Sequence, residues 1–199
     1  LQTATPEGRY GMRVIERGLE GLGLLSDSLR EQLSRRLREL SGLALILLAM
    51  ALALALATWS VKDPSLSHAT NAPMRNMLGV PGAVVADLLM QLFGIASIAL
   101  VLPIAVWGWR LMTHRTMCRE GLRAMFWIVG VALAAGCAAA LPRGTGWPLP
   151  AGLGGVVGDA VIRLPTWLSG GALSGWTRGM VMLTTGLATL VCLALAAGF

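Results

Sequence analysis

The sequence predicts an all-α membrane protein with four transmembrane helices, preceded by an amphipathic N-terminal helix. Three observations support this class: the chain is 55% hydrophobic, only 13% of its residues are charged, and it contains four charge-free apolar stretches. A soluble domain carries about 25% charged residues. The apolar stretches are Leu40–Val61, Leu88–Trp109, Ala124–Pro142 and Gly179–Phe199. A helix needs about 20 residues to cross a hydrocarbon core of ~30 Å, and backbone groups in lipid must bond within the helix.

These stretches define the predicted organisation of the chain. We expect a cytoplasmic N-terminal segment at residues 1–41 and a membrane domain at residues 42–199. The predicted spans lie at about 42–60, 83–110, 122–142 and 177–199. The chain begins at Leu1 and stops at Phe199, where the fourth helix ends, so we interpret it as part of a longer protein.

A leucine stripe precedes the first span. It consists of Leu22, Leu25, Leu29, Leu33, Leu37 and Leu40. Spacings of 3 or 4 place these residues on one helical face, and charged residues fill the remaining positions. Glu31 and Arg35 form a favourable i,i+4 pair among them. Such a helix suits the membrane surface, and packing against a partner helix is the alternative.

The third span carries small residues at helical spacing. Gly130, Ala134 and Ala138 lie four residues apart. Small residues in a stripe allow another helix to approach closely in lipid. The sequence therefore predicts that this face packs against a neighbouring span.

The loop between the third and fourth spans, residues 143–178, is rich in glycine and poor in charge. Nine glycines occur from Gly144 to Gly175. We expect one or two short helices here, either lying on the outer leaflet or re-entering it. One would cover Val156–Leu164 and stop at Pro165, because proline interrupts helical hydrogen bonding.

The basic residues predict the orientation. Eleven of the sixteen Lys and Arg residues lie in segments 1–39 and 110–123. Because basic residues flank spans on the cytoplasmic side, both ends of the chain are predicted to be cytoplasmic. The same distribution argues against DNA binding by this segment, despite its net charge of +6 and pI near 10.6.

No catalytic, cofactor-binding or metal-binding group is predicted in this segment. His68 and His114 fall in loops on opposite sides of the predicted membrane, and the three cysteines are far apart. The single lysine, Lys62, lies in an outer loop, so no phosphate-binding Gly-x-x-x-x-Gly-Lys-Ser/Thr motif exists.

Asp87 is the acidic residue nearest a predicted membrane core, and intramembrane acids are often functional. Gln91 lies one turn deeper on the same face and could be its hydrogen-bond partner. A structural role, a partner contact and a proton relay all remain open. Asp159 and Arg163 are four residues apart and are expected to pair. The candidate structural or partner-contact residues are Asp63, Asn76, Asp87, Gln91, Asp159 and Arg163.

Several short motifs occur in a characteristic order. They are Asp63-Pro-Ser65, Asn71-Ala-Pro-Met-Arg-Asn76-Met-Leu-Gly79-Val-Pro-Gly82, Ala86-Asp-Leu-Leu-Met-Gln91-Leu-Phe-Gly94, Trp107-Gly-Trp-Arg110 and Gly154-Gly-Val-Val-Gly158. In this order they resemble the N-terminal four-helix membrane domain of the FtsK/SpoIIIE DNA translocases. The resemblance covers residues 35–199.

The resemblance implies an anchor in the bacterial inner membrane, located at the division septum and in contact with other divisome membrane proteins. It also implies a hexameric cytoplasmic motor elsewhere in the protein, which would use ATP and Mg²⁺ and would be the part that contacts DNA. Within this segment, the expected partner is the lipid bilayer and no cofactor is expected. Two rival functions are a small transporter or channel subunit that uses Asp87, and an intramembrane enzyme.

Overall fold

The computed structural model describes residues 27–66, 70, 73–115, 119–144, 146–171, 173 and 175–198. Regular secondary structure within these ranges is entirely helical, which confirms the all-α class. The helices are α1 (Asp27–Ala57), α2 (Gly79–Phe93), a 3-10 helix (Gly94–Ser97), α3 (Ile98–Met112), α4 (Glu120–Ala139), α5 (Gly155–Leu168) and α6 (Gly175–Ala197). Four helical stretches are long and apolar enough to cross a membrane, as predicted. They are Leu29–Ala57, Gly79–Met112, Glu120–Ala139 and Gly175–Ala197.

The chain divides into two compact units, Leu1–Arg38 and Glu39–Phe199. In the first unit, the predicted ion pair is present, with Arg35 Nη2 lying 3.4 Å from Glu31 Oε1. The leucines of the stripe that fall within its described part are exposed, namely Leu29, Leu33 and Leu37. Leu22 and Leu25 lie outside the described residues. Contact of this stripe with the membrane surface and contact with a partner helix therefore both stay predictions.

In the second unit, the long helices approach one another through glycine. A Cβ atom on Gly42 of α1 would lie 2.7 Å from the carbonyl oxygen of Gly108 in α3. A Cβ atom on Gly130 of α4 would lie 3.1 Å from the side chain of Leu193 in α6. Larger side chains at either glycine would hold these helices apart. The small-residue face predicted for the third span is thus a contact face.

The helix in the loop before α6 is longer than expected. It runs from Gly155 to Leu168, so the predicted stop at Pro165 is wrong. Proline removes one helical hydrogen bond, yet the turn that follows it is retained because the N–H of Ser169 donates to the carbonyl of Pro165 at 3.0 Å. The hydroxyl of Thr166 also donates to the carbonyl of Arg163 at 2.7 Å.

Candidate functional site at the Asp63 face

The loop after α1 closes around a buried carboxylate. Asp63 is only 2% exposed, and its two oxygens accept hydrogen bonds from the backbone N–H groups of Arg75 and Asn76, each at 2.9 Å. A buried carboxylate is costly unless it is hydrogen-bonded. These two bonds meet that requirement and hold the two ends of the loop together.

Asn76 extends this contact to the neighbouring helices. Its Nδ2 donates to the carbonyl of Ala55 in α1 at 2.9 Å, and its Oδ1 accepts from the N–H of Leu78, just before α2, at 3.1 Å. Gly82 packs against the same amide, since a Cβ atom there would lie 2.4 Å from Asn76 Oδ1. Asp63 and Asn76 therefore act as one clamp between the end of α1 and the beginning of α2.

The clamp defines one end of the bundle. We call this end the Asp63 face; it comprises the C-terminal end of α1, the described residues of the loop that follows it, the C-terminal end of α4 and helix α5, whose Gly158 and Val161 pack against α4. The opposite end is the Arg110 face, where α3 ends, α4 begins and α6 ends.

The height of α3 relative to α1 follows from two contacts. Gly42 and Gly108 touch near the Arg110 face. At about 1.5 Å per residue in the α-helix and ~2.0 Å in the 3-10 helix, Gly94 lies about 23 Å from Gly108, while Ala57 lies about 22 Å from Gly42. A cavity of about 480 Å³ lies between α1 and the start of the 3-10 helix, and both Ala57 and Ile95 line it. Gly94 is therefore level with the end of α1.

We infer from these levels that helix α2 lies across the Asp63 face. It begins next to Ala55, through Asn76, and ends at Gly94, and both points are level with the end of α1. The segment 94–112 runs along α1 and is about 30 Å long, a length comparable to that of a hydrocarbon core. The helix within the predicted span at about 83–110 breaks at Gly94, and the span itself stays a prediction. Composition could not show this break, because α2 is as apolar as a span.

Asp87 belongs to this transverse helix. Its side chain is buried, with the residue 6% exposed, and Gln91 Nε2 donates to Asp87 Oδ2 at 2.9 Å. The predicted hydrogen bond between the two residues is confirmed. Because α2 lies across the Asp63 face, this carboxylate sits near one end of the bundle and not at its centre.

Three backbones meet at the break in the second span. The N–H of Ile95 donates to the carbonyl of Leu153, in the loop before α5, at 3.0 Å. Gly94 adopts a φ of +59°, and a Cβ atom on it would lie 1.9 Å from the same carbonyl oxygen. A Cβ atom on Gly154 or Gly158 would lie 2.0 or 2.3 Å from the carbonyl oxygen of Ala135 in α4. We call this contact the glycine junction; it consists of Gly94, Leu153, Gly154, Gly155, Gly158 and Ala135.

Sequence patterning alone did not predict the glycine junction as a site. Gly94 and Gly154-Gly155-x-x-Gly158 occur only as parts of the motifs described above. The signal was the i,i+4 glycine pair Gly154 and Gly158 at the start of a predicted helix, a spacing that allows close backbone approach.

The expected pair between Asp159 and Arg163 does not form. Asp159 instead lies 3.7 Å from Arg143, in the loop after α4, and accepts a hydrogen bond from the N–H of Gly152. Arg163 is exposed on α5. The reason is that the loop 140–154 folds back onto the start of α5 and brings a closer cation to Asp159.

The six candidate residues thus lie at one end of the bundle. Asp63 bonds to Asn76, Gln91 bonds to Asp87, Asp159 pairs with Arg143, and Arg163 is exposed. Within the described ranges, no group of three His, Cys, Asp or Glu side chains is arranged to hold a metal ion. The arrangement serves to fix loops and to present a surface.

The fold and this site define a polytopic membrane domain whose polar groups hold together one end of a helical bundle. Residues 34–199 match the family described as the 4TM region of DNA translocase FtsK/SpoIIIE, and the chain belongs to that family. No solved structure matches the chain.

Curated relatives include DNA translocase FtsK from Bradyrhizobium diazoefficiens, which is 54% identical over 159 residues, or 80% of this chain and 19% of the relative. DNA translocase FtsK of Brucella suis biovar 1 is 44% identical over 141 residues, covering 71% of this chain and 16% of the relative. The protein of the same name from Azospirillum brasilense is 31% identical over 151 residues, covering 73% and 24%. The chain therefore spans about a fifth of the length of the relatives it matches.

Proposed function

We propose that this chain is the membrane anchor and septum-targeting domain of a bacterial cell-division DNA translocase, and that it links chromosome segregation to division. The observation that carries the proposal is the family match over residues 34–199, which includes the last three candidate spans whole and most of the first. The matched relatives are named DNA translocases, and most of their length lies outside the matched region. We assign ATP, Mg²⁺, DNA and a hexameric motor to the remainder of the parent protein.

The use of polar groups in the bundle supports an anchor over a transporter. The Asp63–Asn76 clamp and the pair of Asp87 with Gln91 are both bonded within the protein, at the Asp63 face. A transport site usually needs several convergent polar groups near the middle of the membrane. The inferred transverse position of α2, which keeps Asp87 near one end of the bundle, supports the anchor.

We also propose that both ends of the chain are cytoplasmic, with the Asp63 face directed outward. The support is the excess of Arg in segments 1–39 and 110–123. In a variant without the natural cysteines, Leu66→Cys should react with an impermeant thiol reagent added to intact cells, whereas Thr113→Cys should react only after lysis. Labelling of Thr113→Cys from outside would reject this orientation.

The Asp63 face is the surface we propose for divisome membrane proteins. Arg163 is exposed there, and Arg115 is exposed at the Arg110 face, so the two offer a matched comparison. A fluorescent fusion of this chain should collect at the septum. Arg163→Glu should reduce that recruitment, and Arg115→Glu should not. Uniform membrane fluorescence of the unmodified fusion would contradict septum targeting, and equal effects of the two substitutions would contradict the proposed surface.

A further inference from the structure

Three helices meet at the Arg110 face around the end of α6. Trp107 Nε1 donates to the carbonyl of Ala196 at 2.8 Å, and Arg110 Nη1 donates to the carbonyls of Ala197 and Gly198 at 3.0 and 2.9 Å. Carbonyl groups at a helix C-terminus lack helical partners and carry partial negative charge. These bonds satisfy them and place a guanidinium at this position.

A second guanidinium lies beside the first. A Cβ atom built on Gly198 would be 2.6 Å from both Arg110 Nη1 and Arg123 Nη2, so these two nitrogens lie within about 5 Å of each other. Among the described residues, neither arginine forms an ion pair with a carboxylate. Two positive charges at this distance repel each other, and an anion between or beside them would offset that repulsion.

Donor groups in this region also lack partners. Within the described part of the chain, Arg110 Nε, Arg123 Nη1 and Trp127 Nε1 are buried and have no hydrogen-bond acceptor. Buried donors are almost always hydrogen-bonded, to protein, ordered water or a bound ion, so these three are available to a ligand that accepts hydrogen bonds. Trp127 is one helical turn from Arg123 and packs edge to face on Trp107, with ring centroids 5.3 Å apart.

A largely apolar cavity opens next to Arg123. Its volume is about 450 Å³, and Leu45, Trp107, Leu111, Glu120, Gly121 and Ala124 line it together with Arg123. The arginines therefore form a cationic part of the site, and the cavity is hydrocarbon-like apart from Glu120. Free phosphate would use only the cationic part, whereas a phospholipid would use both.

The site lies near the ends of two spans, which is the level of lipid head groups in a membrane. Arg110 lies two residues before the end of α3, and Arg123 lies three residues after the start of α4. Both are within about one helical turn, ~5 Å, of the ends of their spans. Arginine pockets at this level between membrane helices recognise acidic head groups.

We propose that the Arg110 face binds one anionic phospholipid, whose phosphate contacts Arg110 and Arg123 and whose acyl chain occupies the cavity. Glu120 also lines the cavity and carries no ion pair in the described structure. Its carboxylate weakens the attraction for an anion, so its removal should strengthen binding. This site does not depend on septum targeting or on the orientation of the chain.

The test measures binding of dioctanoyl phosphatidylglycerol to the purified chain in a neutral detergent, by native mass spectrometry. Dioctanoyl phosphatidylcholine and inorganic phosphate serve as the zwitterionic and free-anion probes. A charge-assisted hydrogen bond contributes about 1.5–3 kcal/mol to a binding free energy, and each 1.4 kcal/mol corresponds to about tenfold in affinity. Arg123→Gln should therefore weaken phosphatidylglycerol binding by about tenfold or more. Glu120→Gln should tighten it. Arg115→Gln should leave it unchanged, because Arg115 is exposed and its side chain forms no ion pair in the described structure.

Each outcome decides the proposal. Preference for phosphatidylglycerol that is lost in Arg123→Gln and kept in Arg115→Gln supports it. Equal binding of the two lipids, or equal effects of the two substitutions, overturns it, and full competition by inorganic phosphate shows a free-anion site instead. If Arg123→Gln does not fold, Ala124→Trp decides, because it fills the cavity without changing charge and should weaken phosphatidylglycerol binding. Unchanged binding to Ala124→Trp would then reject the lipid site.

Discussion

Removing the carboxylate of Asp63 should destabilise the bundle more than removing that of Asp159 on the same face. Asp63→Ala leaves the N–H groups of Arg75 and Asn76 without their acceptor. An unsatisfied buried group costs about 1–3 kcal/mol, and the N–H of Arg75 is only partly buried, so we expect a loss of about 2–4 kcal/mol. Asp63→Asn keeps one acceptor oxygen and should cost about half as much.

The matched control is Asp159→Ala on the same face. The side chains of Asp159 and Arg143 are 39% and 57% exposed and lie 3.7 Å apart, so the pair contributes about 0–1 kcal/mol. Unfolding in mixed dodecyl maltoside and SDS micelles, followed by circular dichroism, gives the free energy of each variant. The free energy of unfolding should be highest for Asp159→Ala, lower for Asp63→Asn and lowest for Asp63→Ala. If Asp63→Ala were as stable as Asp159→Ala, the clamp would not be a stabilising element and this reasoning would fail.

Two further predictions test the glycine junction and the role of Asp87. Gly158→Ala should lower the free energy of unfolding by about 1–3 kcal/mol, because its Cβ would lie 2.3 Å from the carbonyl oxygen of Ala135. A Cβ atom on Gly171 would have nothing within 4 Å, so Gly171→Ala should be nearly neutral. Equal thermal stability of the two variants would contradict the close contact. Asp87→Asn keeps the size and an acceptor for Gln91, so septal recruitment of a fluorescent fusion should persist, while Asp87→Leu should impair it. Ion flux in reconstituted vesicles that both substitutions abolish, with recruitment unchanged, would instead indicate a relay.

The sequence was sufficient for the features that depend on composition and regular spacing. Charge-free runs of about 20 residues predicted the spans because lipid excludes unsatisfied backbone groups. The i,i+4 rule predicted both the ion pair of Glu31 with Arg35 and the hydrogen bond of Gln91 with Asp87. Both predictions are local: each partner lies one helical turn from the other on a regular helix.

The sequence was insufficient where contacts join distant parts of the chain. Hydropathy cannot separate α2 from the segment 94–112, because both are apolar and the break depends on Leu153. The partner of Asp159 depends on how the loop 140–154 folds back, so the nearest cation along the helix, Arg163, was the wrong choice. Asp63 and Asn76 were predicted as candidates from a resemblance, and their bonding to each other and to α1 required the structure.

The hydrogen bond from Ile95 to Leu153 has a consequence for biogenesis. Leu153 lies 41 residues after Met112 and therefore emerges from the ribosome after the stretch Gly79–Met112. A backbone N–H without an acceptor is costly in lipid, and an unbroken helix satisfies it internally. We therefore expect this stretch of 34 residues to insert as one helix and to bend at Gly94 only after the loop following α4 emerges. Insertion and final folding would then be separate steps, and the transverse placement of α2 would be acquired late during translation.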